Sequence, residues 1–324
     1  MNQMVKQLIS ASIILGTLWL GNFFLPDLLN PYIFRILNLA GLSIILGVSL
    51  NIINGMTGQF SIGHAGFMAV GAYTSAAISF YFFAPLLQKA SSIPLLQQAL
   101  FLVSLLAGGY AAAFFGYVVG LPSLRLRGDY LGIVTLGFGE IIRVSILNLN
   151  VVGGARGFGG IPGWSNFFWI YFFVVVVIII SFRLKSSFHG RAFLSIREDE
   201  IAAESIGINI TSYKVKAFIF SSFFAGVAGG LFAHFDSYLN PSSFTFIKSF
   251  EAIIIVVLGG MGSISGSVIA ATLTTVLPEA LRPLQEITRL DFRMVIYPLL
   301  LLSLMLIRPQ GIFGNKELTW KKSS

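Results

Sequence analysis

An all-α polytopic membrane fold is predicted by three features of the sequence. Apolar runs of about 20 residues recur along the whole length, only 10% of residues are charged against 56% hydrophobic, and glycine- and serine-rich breaks interrupt the runs. At 1.5 Å per residue such a run matches the thickness of a bilayer core. A soluble domain carries about 25% charged residues, so the composition, with a mean hydropathy of +0.85, excludes an ordinary globular enzyme. Cysteine is absent, which removes disulfides, thiolate metal sites and thiol nucleophiles. The net charge of +8 would suggest nucleic acid in a soluble protein; here it marks cytoplasmic loops under the positive-inside rule, and no nucleic acid is expected.

Taken in order, the runs lie near 8–25, 33–53, 64–83, 97–120, 130–149, 166–183, 214–236, 246–259, 265–281 and 293–307. They predict about ten transmembrane segments, with eight as the lower bound, because Gly259, Gly260, Met261 and Gly262 interrupt what would otherwise be one helix. The first run follows Lys6 and is longer than a secretory h-region, without a small-residue cleavage site after it, so it is read as a retained span. An even count puts both termini on one side. Lys6, Arg125, Arg127, Arg183, Lys185, Arg191, Arg197, Lys214, Lys216, Arg308, Lys316, Lys321 and Lys322 then fall on the cytoplasmic side. Both termini are accordingly expected in the cytoplasm. Residues 1–324 read as a single membrane domain with a charged cytoplasmic loop at about 184–213 and a short polar tail at 308–324.

Four stretches depart from plain lipid-spanning helix. From Asn54 through Gly58, Gln59, Ser61, Gly63, His64 and Gly66, glycine and serine let helices pack closely or let a helix unwind around a cavity; both readings stand. His64 has no carboxylate nearby in sequence and is expected to be a hydrogen-bonded structural residue. From Pro122 to Arg143, Arg125 and Arg127 read as membrane-edge anchors pairing with Asp129 or lipid phosphate. Glu140 is an intramembrane carboxylate that faces either a cavity or Arg143 three residues on. The run Gly153–Gly163 has no preceding strand and no Gly-Lys dipeptide, so it is an external turn segment rather than a phosphate loop. Finally, Glu251 precedes the break Gly259-Gly260-Met261-Gly262-Ser263, whose likeness to Gly55-Met56-Thr57-Gly58 is too slight for an internal repeat.

The charged loop carries helix signals of its own. Ser195 followed by Glu198 fits a capping box, Glu198, Asp199 and Glu200 suit the positive end of a helix dipole, and Gly207 stands at a left-handed cap position. The pattern predicts one helix of about three turns over 196–206, with Ile196, Ala203, Ile206 and Ile210 on an apolar face. Ala202 and Ala203 leave room for a groove of another protein. Three acids at the helix start disfavour docking on anionic lipid, so a protein partner is expected.

Several stretches together resemble one family. They are Gly58–Ala65, Leu124–Tyr130, Thr135–Glu140, Gly190-Arg191-Ala192, Arg197–Glu200 through Ala203 to Gly207, Leu258–Ser263 and Arg308-Pro309-Gln310-Gly311. In this order they are similar to the LivM-type permease subunits of bacterial branched-chain amino-acid ABC importers, from about residue 40 to 314. The resemblance implies a coupling helix seated in a cytoplasmic ATPase, with Arg197, Glu198, Asp199, Glu200, Ala202, Ala203 and Gly207 at the contact. It also implies a second related permease subunit, two ATPase subunits that use ATP and Mg, and an extracytoplasmic substrate-binding protein. The chain itself is expected to be no enzyme and to bind no cofactor or metal, in a bacterial inner membrane. Its cargo would be leucine, isoleucine or valine; urea or another amino acid within the same importer type, or an ion-coupled carrier or channel using Glu140, Glu251 or Asp236, are the alternatives. The substrate pathway is expected at Gly58, Gln59, Ser61, Gly63, His64, Thr135, Gly137, Glu140, Glu251, Gly259, Gly260 and Gly262.

Overall fold

The computed structural model describes residues 3–89, 94–123 and 129–280, and from the C-terminal part residues 299, 302–303, 306–308, 310–314 and 316–318. Arg125 and Arg127, expected as membrane-edge anchors, lie outside them, as does most of the run at 293–307. Twelve helices are described: α1 (Gln3–Leu28), α2 (Pro31–Asn51), α3 (His64–Ile78), α4 (Ala84–Lys89), α5 (Pro94–Ser123), α6 (Asp129–Leu147), α7 (Phe167–Ser186), α8 (Phe188–Glu198), α9 (Glu200–Ser205), α10 (Ile210–Asp236), α11 (Phe246–Gly259) and α12 (Ile264–Ala280). The strands β1 (Phe158–Gly159) and β2 (Tyr238–Leu239) form a two-residue antiparallel pair.

Helix starts follow side chains that satisfy free N–H groups. Asn30 accepts from Tyr32 N at 2.9 Å with Pro31 behind it, Asn166 accepts from Trp169 N at 3.2 Å, and Asn209 accepts from Ser212 N at 2.9 Å. Asparagine is a favoured N-cap, and proline suits the first helical position because its missing N–H has no partner there anyway. Among the described residues six helices are long and apolar enough to cross a membrane. At 1.5 Å per residue, the 14-residue α11 and 17-residue α12 fall short of a bilayer core of about 30 Å. The chain is therefore an all-α, multi-pass membrane protein in which two short helices form a hairpin around the Gly260–Gly262 break.

The bundle has two ends. At one, called here the sheet end, β1 pairs with β2, Arg35 meets Asp236 at 2.6 Å and Tyr81 donates to Val151 O at 2.5 Å. Gly153 and Gly157 there have φ of 81° and 84°, the turn geometry their sequence suggests. At the other, the loop end, α8 and α9 fill the connection from α7 to α10. The centre is a crossing of α3, α5 and α10 on glycine. A Cβ on Gly71 would stand 2.2 Å from Gly226 Cα, one on Gly108 2.6 Å from Gly71 O, and one on Gly229 2.0 Å from Met68 O. Small residues at such crossings let backbones touch where no hydrophobic effect drives helices together. Burial reaches 78% over α2 with its continuation to Met56 and 72% over α10, but only 28% over α6. α6 thus borders the bundle.

The loop differs from its expected form. Instead of one helix over 196–206 there are two, α8 and α9, broken at Asp199. Ser195 lies inside α8 and donates back to Arg191 O at 3.0 Å, so it caps nothing. Ser187 starts α8 by accepting from Gly190 N at 3.2 Å, and Asp199 caps α9 by accepting from Ile201 N and Ala202 N at 2.8 and 3.1 Å. The expected apolar face splits as a result. Ile196 and Ala203 are buried at 2% exposure each, while Ile206 is 74% exposed. Gly207 does take the left-handed conformation, φ 87°.

Candidate functional site

The first break begins where α2 loosens into a π-helical turn, Ile52–Met56, and unwinds over 57–63 before α3. Unwound backbone at membrane depth must be satisfied by protein or by a water-filled cavity, and here side chains do most of it. Asn54 accepts from Ser61 N at 3.3 Å and donates to Ser61 O at 3.4 Å. Ile62 N donates to Thr135 Oγ1 at 3.0 Å, and Ala65 N to Ser249 Oγ at 2.9 Å. Thr135 itself donates to Gly132 O at 3.0 Å, so its hydroxyl is engaged on both sides. Gly63 and Gly66 let α6 close in, since Cβ atoms there would stand 2.3 Å from Thr135 O and 2.8 Å from Gly139 Cα.

Within this ordered segment one set of polar atoms is left over. Both amide atoms of Gln59, the hydroxyl of Ser61 and Nδ1 of His64 are buried without a hydrogen-bond partner among the described residues. Their residues are 4%, 0% and 1% exposed. His64 is held through its other nitrogen, 2.8 Å from Ser49 Oγ, which is the structural contact its sequence context suggests. A buried polar group without a partner costs about 1–3 kcal/mol. Several within six residues of an unwound segment indicate a place built to meet polar atoms from elsewhere.

The second break adjoins the first. Gly260 and Gly262 have φ of 107° and 88°. Asn51 clamps the turn, accepting from Gly262 N at 2.8 Å and donating to Ser263 O at 2.9 Å. Gly55 faces it so closely that a Cβ would stand 2.3 Å from Gly262 N, and a Cβ on Gly259 would stand 2.5 Å from the Gly266 backbone. Arg197, at the end of α8, donates to Gly55 O at 3.0 Å while pairing with Glu198 at 2.7 Å. Cβ atoms at Gly58 and Gly262 would stand 2.9 and 2.8 Å from the Arg197 side chain. One residue of the charged loop therefore touches both breaks.

The expected carboxylates sit apart from this cluster. Glu251 pairs with Lys248 at 2.7 Å on the wall of a cavity of about 510 Å³ between α2, α11 and α12, with Glu279, Thr274 and Thr275 opposite and Leu46 and Met68 on its inner wall. Met68 is one turn beyond His64, and Leu46 O accepts from Ser49, the partner of His64. Glu140 pairs with Arg143 at 2.7 Å, the local ion pair being realised. Both face outward from α6, 29% and 24% exposed, and Gly137 on the same helix has open space where a Cβ would stand. The structure thus groups Gly58, Gln59, Ser61, Gly63, His64 and Thr135, sets Gly259, Gly260 and Gly262 beside them, and leaves Gly137, Glu140 and Glu251 elsewhere.

In the loop, Asp199 caps α9, Glu200 pairs with the buried Lys214, Ala202 is exposed and Ala203 is buried. Ile201, part of the Glu200–Ala203 run but not among the expected contact residues, is 70% exposed. Ile201 in α9 and Ile206 at its C-terminal cap are thus both bare, whereas periodicity across an unbroken 196–206 groups Ile206 with the buried Ile196 and Ala203.

Residues 32–306 match the family described as branched-chain amino acid transport system / permease component. The chain is 38% identical over 304 residues to the high-affinity branched-chain amino acid transport system permease protein LivM of Salmonella typhimurium, covering 83% of this chain and 67% of that one. To LivM of Escherichia coli it is 35% identical over 342 residues, covering 95% and 74%. A differently named permease of Salmonella typhimurium, LivH, is 30% identical over 186 residues, covering 57% and 59%. No solved structure matches.

Proposed function

Because this chain belongs to the branched-chain amino acid transport permease family, we propose that it forms the membrane path for leucine, isoleucine and valine in an ATP-driven importer. In this reading about ten segments cross a bacterial inner membrane with both termini in the cytoplasm, α11 and α12 forming a broken pair. The observation that carries the path is the buried, unpartnered set Gln59, Ser61 and His64. A zwitterion brings an acceptor and a donor of its own, and a glutamine amide can answer both without a charge that would hold the cargo too tightly. The cavity beside Lys248 and Glu251 serves as the mouth toward that set.

The chain binds no cofactor; two partner ATPases use ATP and Mg and dock on the loop end. Ile201 and Ile206 enter the cleft of one of them, and Arg197, in contact with both breaks, carries the movement to the path. A second permease, related as LivH is, packs on the open face of α6, which removes the Glu140–Arg143 pair from lipid, where such charges are costly. An extracytoplasmic binding protein delivers the cargo.

Ile201→Asp and Ile206→Asp test this. Both side chains are exposed, so each change moves stability by no more than about 0.5 kcal/mol. The expected result is a folded chain that no longer co-purifies with an ATPase and has lost ATP-dependent leucine uptake in proteoliposomes. Uptake that persists with purified chain alone, driven by a proton or sodium gradient, overturns the reading in favour of an ion-coupled carrier. Structure lends that rival little, since Glu140, Glu251 and Asp236 are each held in an ion pair. Competition by urea or other amino acids decides the cargo.

A further inference from the structure

Residues 310–314 and 316–318 lie back on the second break. Ile312 N and Phe313 N donate to Leu258 O and Gly259 O, the last carbonyls of α11, at 2.8 and 3.3 Å. Glu317 then caps α12 from 53 residues away. Its carboxylate accepts from Ile264 N at 2.9 Å, from Ser265 N at 3.0 Å and from Ser265 Oγ at 2.6 Å. The same carboxylate meets Lys185 Nζ at 2.6 Å, and Lys185 also donates to Gly262 O at 2.6 Å. Lys185 lies in the last turn of α7, immediately before the loop that carries α8 and α9.

From this juxtaposition we infer that Lys185 and Glu317 are positioning residues for transport: they fasten the α11–α12 break to the end of α7, so that the break follows the loop when the loop moves. The inference rests on the proposed coupling to ATPases. Arg197 also reaches the break, but its ion pair is with its chain neighbour Glu198, whereas Lys185 and Glu317 tie α7 to the residues beyond α12. Both are largely enclosed, with side chains 20% and 16% exposed, which spares the pair the solvent screening that makes exposed ion pairs weak. Burial opposes ionisation of Glu317, and hydrogen bonds from Lys185, Ser265 and the Ile264 and Ser265 N–H groups outweigh it, so its pKa is lowered from the ordinary 4.5. A lowered carboxyl pKa contributes stability above the unfolded value and loses it as pH falls through the folded one. The tie therefore holds throughout the neutral range.

Glu317→Gln and Lys185→Met in the full importer complex test the inference, with Lys185→Arg as the conservative variant. Lys185→Met leaves the Glu317 cap on α12 in place and so remains informative if Glu317→Gln fails to fold. The expected result is a complex that assembles and hydrolyses ATP but imports about tenfold less leucine per ATP, with Lys185→Arg restoring most of the loss; tenfold corresponds to about 1.4 kcal/mol. A merely structural pair lowers thermal stability and leaves leucine per ATP at the wild-type value, and that outcome overturns the inference. Wild-type complex whose uptake needs no ATP overturns the proposed function itself, independently of these variants.

Discussion

Replacing Gln59 with leucine is expected to leave the protein at least as stable as before while abolishing uptake. Most buried polar residues give the opposite pairing, because their removal orphans a partner. Gln59 has no partner to orphan among the described residues: both amide atoms are buried and unpaired there, and the residue is 4% exposed. Replacing it with an apolar side chain of similar size removes a desolvation penalty of about 1–3 kcal/mol. The midpoint of thermal unfolding in detergent should stay level or rise, and import should fall more than tenfold, or by about 1.4 kcal/mol of lost stabilisation in the moving state. Thr135→Val supplies the contrast. Its hydroxyl accepts from Ile62 N at 3.0 Å, so the change strands a half-buried N–H and costs about 1 kcal/mol or more before any effect on transport. Should Gln59→Leu destabilise the fold as Thr135→Val does, the amide is structural and the path does not run through it.

This contrast also marks how far the sequence could be read. The membrane class and the two breaks were legible because each depends on local composition: long apolar runs, and glycine crowded at 55–66 and 259–262. The use of each glycine was not. Gly63 and Gly66 admit α6, Gly55 and Gly262 admit each other, and such pairings are made across the fold. Competition between signals explains the misread loop. Ser187 and Ser195 both precede helical sequence, but once Ser187 nucleates α8 the Ser195 hydroxyl is inside a helix and turns back to Arg191 O. Asp199, read as one acid among three, is the residue that starts α9. By composition the tail is short and polar. Glu317 acquires its role from Lys185, Ile264 and Ser265, none of which is near it in sequence.

Two glycines of the same kind should answer a larger substitution in opposite ways. Gly226→Val is expected to yield no folded protein. A Cβ there meets Ala112 Cβ at 2.5 Å, Gly108 O at 2.9 Å and Gly109 Cα at 3.2 Å, and Gly71 presses on Gly226 from α3. Two of these contacts are backbone, which no rotamer change can move, so the cost exceeds the 1–3 kcal/mol typical of about one extra methylene in a core. It separates α3, α5 and α10 at the crossing that organises the bundle. Expression and monodispersity in detergent report the loss, and wild-type behaviour would mean the helices do not cross where described. A Cβ at Gly137 meets nothing within 4 Å among the described residues, and leucine gains helix propensity of up to about 1 kcal/mol, so with Gly137→Leu the isolated chain should remain folded and slightly more stable. A glycine whose Cβ position is open, one turn before an outward ion pair on the least buried of the six spanning helices, has a use if another backbone approaches it. Gly137→Leu should therefore prevent pairing with the second permease, measured by co-purification, while leaving ATPase contact at α9 intact. If pairing survives, α6 faces lipid and the seam lies on another helix.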